Sequence, residues 1–246
     1  MKCLILAAGY ATRLYPLTEN FPKPLLKVGD KTILDWLIDD IDGAALVDEY
    51  VVISNHKFAR HFQEWAAQKQ QKVTVVDDGT SSNETRLGAV CDIQFAIERL
   101  GLDDDMLVIA GDNLLDFSLQ RFVRYARDKG TSCIMRFYEQ DEQRLLKCGV
   151  VTVDPADRVL RMTEKSPTPE THWACPPFYY YTRRDARLVR QGIEQGCGTD
   201  APGSYIAWLC TQTPVHAMEM PGRRYDIGNL QSYEQVQKEY QGITVV

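Results

Sequence analysis

The side chains best suited to handle phosphate and its metal are two cations on one loop and, far from it, two aspartates and a Glu-Lys pair. The loop is GYATRLYPLTENFPKP, Gly9 to Pro24, and it carries Arg13 and Lys23. It directly follows MKCLIL, a short apolar run that reads as a first buried strand. A turn after a first strand can point backbone N–H groups at phosphate oxygens. Gly9 lets the backbone approach a ligand with no Cβ in the way. Arg13 can fork onto phosphates, and Lys23 adds a mobile point charge. Pro16, Pro22 and Pro24 stiffen the segment and keep it out of helix. The loop is not a Walker A, because no Gly-Lys-Ser/Thr closes it, and it has too few glycines for a dinucleotide fingerprint.

Asp112 closes the apolar run MLVIAGD, which places it at the carboxyl edge of a strand. Such an aspartate suits Mg²⁺, which takes one or two carboxylates plus phosphates and water, though it also suits a turn or a helix N-cap. Asp226 sits in YDIG beside Gly228, either as a turn-borne carboxylate or as a local cap. Only a fold could bring it to Asp112. Glu164 and Lys165, in RMTEKSPTP, could grip a sugar hydroxyl and a phosphate, or form a plain exposed pair. Asp103, Asp104 and Asp105 read as a solvated turn and Tyr179 to Tyr181 as alternate faces of one strand. His216 reads as structural, and Trp36, Trp65 and Trp208 as core or rim residues.

These residues need elements to hold them. TILDWLIDDI places apolar residues at 33, 34, 37, 38 and 41, one helical face. YVVIS and VTVV read as strands, and FARHFQEWAAQ as a helix. RLGAVCDIQFAIERL predicts a helix with Leu87, Val90, Cys91, Ile97 and Leu100 on one face, and MLVIAGDN a fourth strand. This alternation predicts a parallel, doubly wound sheet with ligands beyond the strand carboxyl ends. From about residue 131 the texture becomes strand-rich: TSCIMRFYE, GVVTVD, RVLRMTEK, ACPPFYYYT and TPVHAMEM. Helices are expected in RRDARLVRQGIEQG, PGSYIAWLCTQ and after YDIG. The simplest organisation is a single domain over 1–246 with a substrate-binding extension from about residue 131.

The chain has 246 residues, 44% hydrophobic and 25% charged, with net charge −6. That balance argues against a general nucleic-acid binder, which needs a positive face. Arg13, Lys23 and Lys27 nonetheless make the opening stretch locally basic. No apolar run reaches the ~18–20 residues of a membrane span, and no signal peptide is evident. A cytoplasmic protein without membrane contact is expected. The seven cysteines show no C-x-x-C pair, so reduced thiols are expected rather than a zinc site or disulfide framework.

In order along the chain, G-Y-A-T-R-L-Y-P-L-T through P-K-P (9–24), G-D-N at Asp112, C-G-V-V (148–151), E-K-S-P (164–167) and Y-D-I-G (225–228) resemble the motifs of the sugar-1-phosphate nucleotidylyltransferase family. The likeness is to the glucose-1-phosphate thymidylyltransferase and mannose-1-phosphate guanylyltransferase type. It implies an α/β fold with a doubly wound, mostly parallel mixed sheet, Rossmann-like and GT-A-like, with a small sugar-binding β extension. It implies transfer of a nucleotidyl group from an NTP to a sugar-1-phosphate, with pyrophosphate released. By the same resemblance Asp112 and Asp226 would hold Mg²⁺, Arg13 would stabilise the departing pyrophosphate and Lys23 would hold phosphates at the reacting centre. Leu6, Ala7, Ala8 and Gly9 would wrap the nucleotide, Asn83, Leu87 and Gly88 would meet it near the base, and Gly149, Glu164 and Lys165 would bind the sugar phosphate. Homo-oligomers are frequent in the family. Two departures stand out. Ala11 replaces the second loop glycine, and Thr80 to Arg86 do not match the usual base-reading segment, where Asn83, Glu84 or Arg86 could reach a base edge. Two alternatives share the fold: a CTP-dependent cytidylyltransferase acting on a small phosphate or phosphonate such as phosphocholine, and a non-catalytic sensor of nucleotide sugars.

Overall fold

Strand Lys2–Leu6 buries Cys3, Leu4 and Ile5 completely, as its unbroken apolar sequence requires. It pairs in parallel with Glu49–Ser54, Leu4 opposite Val51, and that strand pairs in parallel with Val73–Asp77. These three strands belong to the first of two compact units in the computed structural model, which describes residues 1–245. The first unit comprises Met1–Arg86, Ala110–Arg121 and the chain from Pro221 onward. The second comprises Leu87–Ile109 and Phe122–Met220. Together they form a mixed α/β protein, the expected class.

In the first unit, helix Ile33–Asp42 opens with a capping box: Asp35 N donates to Thr32 Oγ1 and Thr32 N to the Asp35 carboxylate, both at 3.0 Å. It buries Ile33, Leu34, Leu37, Ile38 and Ile41, the predicted face. Helix His56–Ala66 is capped by Asn55, whose amide also donates to Ala8 O at 2.9 Å. The cap thus ties this helix to the turn after the first strand. Strand Asn113–Leu115 pairs antiparallel with Arg224–Asp226. Beneath them Leu14, Leu26, Val28, Ile33, Leu114, Ile227 and Val236 form one buried cluster. A short ribbon, Lys27–Val28 with Lys31–Thr32, joins the opening loop to the first helix and was not anticipated.

In the second unit the strands run in the order Val159–Glu164, Gly149–Val153, Trp173–Cys175, Ser132–Tyr138, Phe178–Tyr181, Met106–Ala110, each neighbouring pair antiparallel. Val215–Glu219 adds to Ser132–Tyr138 in parallel. Tyr179, Tyr180 and Tyr181 are all buried, as one strand with both faces covered. His216 bonds Thr131 and is structural, as expected. Helix Gln120–Lys129 was not anticipated; it buries Phe122, Val123 and Ala126 and is otherwise polar. The predicted helix over 86–100 begins at Ala89, and its inner side is Val90, Asp92, Ile93 and Ala96. Leu87 and Leu100 are exposed instead. Gly88, at φ 92°, a left-handed conformation, breaks the helix before it starts and leaves Leu87 outside it. Among the described residues no helix is long and apolar enough to cross a membrane.

Candidate active site

The residues singled out from the sequence divide between the two units: Leu6 to Gly9, Arg13, Lys23, Asn83, Asp112 and Asp226 lie in the first, and Leu87, Gly88, Gly149, Glu164 and Lys165 in the second. In the first unit the turn after Lys2–Leu6 is fixed at its backbone. Gly111 N donates to Leu6 O at 3.0 Å, Ala7 N donates to Ile53 O at 2.9 Å, and Ala8 O accepts from Asn55. Gly9 is exposed, and a Cβ built on it would meet nothing within 4 Å. The protein's own packing therefore does not demand this glycine. Ala11, in place of the second glycine, sits at φ 47°, ψ 42°. A left-handed alanine costs roughly 1–2 kcal/mol. It is held by Thr18 Oγ1, which donates to Ala11 O at 2.8 Å, and by burial of Leu14. Arg13, in the single turn Thr12–Leu14, is exposed and has no side-chain partner among the described residues.

Lys23 is nearly buried, with 7% of its side chain exposed, and its Nζ lies 2.7 Å from Asp112 Oδ2. Strand Met106–Ala110 ends two residues before Asp112, which therefore sits on a turn rather than closing the strand. The turn lies close against the first strand, since a Cβ on Gly111 would come within 2.9 Å of Ile5. Burial pushes the Asp112 carboxyl up, but Lys23, with help from Arg224, outweighs it and holds the group below the usual carboxylate range. Asn113 Nδ2 donates to Asp112 Oδ1 at 2.8 Å, and Arg224 Nη1 donates to Asn113 Oδ1 at 2.7 Å. The strand register sets Asp226 directly across from Asn113. So the two carboxylates, distant in sequence, stand at adjoining positions of one ribbon. Asp226 does not cap the next helix; Asn229 does, accepting from Ser232 N at 2.9 Å. Its carboxylate is 62% exposed and 3.9 Å from Arg224. Asn113 and Arg224 were missed from the sequence, though Arg224 two residues before Asp226 in a strand was the available signal, since such residues share a face.

Two carboxylates, oxygen donors only, match the ligand chemistry of Mg²⁺, which keeps waters and takes substrate phosphates as further ligands. Among the described residues no group of three or more His, Cys, Asp or Glu side chains is arranged to hold a metal. Asn83 lies on the exposed loop after Val73–Asp77 and accepts from Arg86 Nη1 at 3.0 Å.

In the second unit Glu164 ends strand Val159–Glu164, opposite Gly149. A Cβ on Gly149 would come within 2.8 Å of Glu164 Oε1, and one on Gly203 within 1.8 Å. The carboxylate is thus packed against the backbone at both glycines. Burial raises its pKa, Lys165 opposes that and Asp200 adds to it, leaving the group above the ordinary range. Lys165 follows at φ 47°, with its N–H on Cys148 O at 3.0 Å and its Nζ 3.5 Å from Asp200 Oδ2. Leu87 is exposed, and Gly88 abuts Thr199: a Cβ there would lie 2.5 Å from the Thr199 carbonyl oxygen. Asp200 was not singled out from the sequence, because no motif surrounds it.

The family described as Nucleotidyl transferase matches residues 2–242. A bifunctional protein GlmU of Methanococcus aeolicus is 31% identical over 93% of this chain and 51% of its own length. Mannose-1-phosphate guanylyltransferase 1 of Arabidopsis thaliana is 28% identical over 95% of this chain and 63% of its own. The chain thus spans about half to three-fifths of these curated relatives. A solved UDP-glucose pyrophosphorylase, complexed with UDP-glucose, superposes with a TM-score of 0.82 at 18% identity, covering 97% of each chain.

Proposed function

The chain belongs to the nucleotidyl transferase family, and from that premise we propose that it transfers a nucleotidyl group from an NTP to a sugar-1-phosphate. The observation that carries this reading is the Asp112–Asn113–Arg224–Asp226 ribbon with Lys23 on Asp112. It sets two carboxylates and a buried cation beside a turn suited to phosphates. The names of relatives that act on glucose-1-phosphate and mannose-1-phosphate support the acceptor class.

The sugar phosphate oxygen attacks the α-phosphorus in line. The new P–O bond forms as the bond to the bridging oxygen breaks, and pyrophosphate leaves with that electron pair. No protein nucleophile is needed, so positioning and charge neutralisation supply the catalysis. Leu6, Ala7, Ala8 and Gly9 present backbone to the nucleotide. Arg13, without a side-chain partner among the described residues, is available to the departing pyrophosphate. Lys23 holds Asp112 ionised and contributes positive charge beside the α-phosphate. Mg²⁺, held by Asp112 and Asp226, would neutralise charge developing on the phosphoryl oxygens. Lys165 binds the acceptor phosphate, and Glu164, facing Gly149, accepts from a sugar hydroxyl. Asn83, Leu87 and Gly88 meet the base. The surroundings of Lys165 support the sugar acceptor: they offer a half-buried carboxylate, Glu164, for a hydroxyl.

The test is pyrophosphate release with Mg²⁺, crossing the common NTPs with hexose-1-phosphates, phosphocholine and aminoethylphosphonate, for wild type and Asp226→Asn. Release with one sugar-1-phosphate is expected, and Asp226→Asn should lower kcat by about 10²-fold or more while NTP binding changes little. Release only with CTP and a small phosphate or phosphonate would replace the sugar reading, and unchanged turnover in Asp226→Asn would remove that carboxylate from the site.

A further inference from the structure

Asp200 lies outside every motif, yet several contacts converge on its segment. Its carbonyl oxygen accepts from Ala89 N at 3.3 Å, and the Thr199 carbonyl accepts from Val90 N at 3.0 Å. The first turn of helix Ala89–Leu100 is therefore capped by this segment rather than left open to a ligand. Three residues on, Gly203 packs against the Glu164 carboxylate. The backbone around Asp200 is pinned on both sides. Its side chain reaches to within 3.5 Å of Lys165 Nζ, and each of the two side chains is more than half exposed.

We propose that Asp200 is a positioning residue for the acceptor: its carboxylate occupies the anion place at Lys165 in the free protein and yields that place to the acceptor phosphate. The proposal rests on the reading of Lys165 as the acceptor-phosphate cation. An ion pair this exposed is weak, so it is readily exchanged. A phosphate monoester carries about −1.5 to −2 charge at pH 7 and three acceptor oxygens, so it outcompetes a carboxylate for an ammonium. After nucleotidyl transfer the same phosphorus is a diester-like centre with one negative charge. Asp200 then competes on nearly equal terms and returns to Lys165. The device admits the dianionic acceptor, disfavours monoanions and hastens loss of the nucleotide-sugar product.

The experiment compares KM for both substrates and product inhibition in wild type, Asp200→Asn, Asp200→Glu, Lys165→Ala and the Asp200→Asn/Lys165→Ala double variant. Removing the competing carboxylate should lower the sugar-1-phosphate KM by about two- to fivefold, the range set by exposed ion pairs. The NTP KM should not move, product inhibition should strengthen, and Asp200→Glu should behave as wild type. In the Lys165→Ala background the Asp200→Asn effect should vanish. A raised sugar-1-phosphate KM in Asp200→Asn, or the same drop without Lys165, overturns the proposal. If wild type turns over no sugar-1-phosphate, the functional reading fails separately, and titration with inorganic phosphate followed by ³¹P NMR decides this one. Asp200→Asn must then bind phosphate more tightly than wild type, and Lys165→Ala must lose that gain; equal binding in wild type and Asp200→Asn overturns it.

Discussion

Lys23 and Glu164 show how two half-hidden charges are treated differently. Lys23 is nearly buried but meets Asp112 at 2.7 Å, and its charge holds that carboxyl below the usual carboxylate range. Glu164 has no ion-pair partner that close among the described residues; it packs against Gly149 and Gly203, and burial raises its pKa against the opposing charge of Lys165. A carboxyl raised in the folded state binds more protons folded than unfolded, so it costs stability as pH climbs from the unfolded value through the folded one. Glu164→Gln should therefore melt higher than wild type at pH 7. The advantage should shrink as pH falls below the ordinary glutamate value of about 4.3. Melting curves between pH 3.5 and 8 would show it, and a pH-independent difference would mean the gain comes from packing alone. If Glu164 also grips a sugar hydroxyl, the more stable variant should have the higher sugar-1-phosphate KM, the usual exchange of stability for function at a site.

At the level of elements, two glycines make opposite demands. Gly9 has open space where a Cβ would go, whereas Gly88 combines φ 92° with a Thr199 carbonyl 2.5 Å from that position. Gly9→Ala should leave the melting temperature within about two degrees of wild type, because an exposed change that touches nothing stays within about 0.5 kcal/mol. Its NTP KM should rise, since only a ligand would feel the methyl group. Gly88→Ala should cost about 2–4 kcal/mol through strain and the clash. Thermal melts paired with NTP titrations separate the two, and a destabilised Gly9→Ala would mean that the turn needs glycine for its own fold. Helix Ile33–Asp42 was legible in the sequence because its face repeats with helical period and Thr32 announces its start. Arg13, Lys23, Asp112 and Asp226 were legible as residue types in ordered motifs. The start of helix Ala89–Leu100 was not, because its capping carbonyls come from Thr199 and Asp200, more than a hundred residues away. Asp200 was hidden for the same reason: its meaning lies in what it touches, and no local pattern marks it.

Over the whole molecule, each unit is assembled from separated segments of chain. The first takes in Ala110–Arg121 and everything described after Pro221. A fragment cut near residue 130 therefore loses strand Arg224–Asp226, the partner of Asn113–Leu115, together with Ile227 and Val236 from the cluster under the opening loop. Such a fragment should not fold: dispersed amide proton NMR signals would be absent. A well-dispersed spectrum would show that the missing segment is dispensable. The change from helix–strand alternation to a strand-rich texture near residue 131 was legible, but it does not coincide with the units, because periodicity reports local texture and cannot see which segments return. The returning ribbon also has a consequence in time. Arg224 is made 111 residues after Asn113, which at about 5–20 residues per second is a delay of about 6–22 s. Throughout that interval the nascent chain carries Lys23 and Asp112 with the Asn113–Leu115 backbone still unzipped. A growing polypeptide on the ribosome thus carries a three-residue edge without its partner until later synthesis covers it, and the shortness of that edge protects it from pairing with another chain.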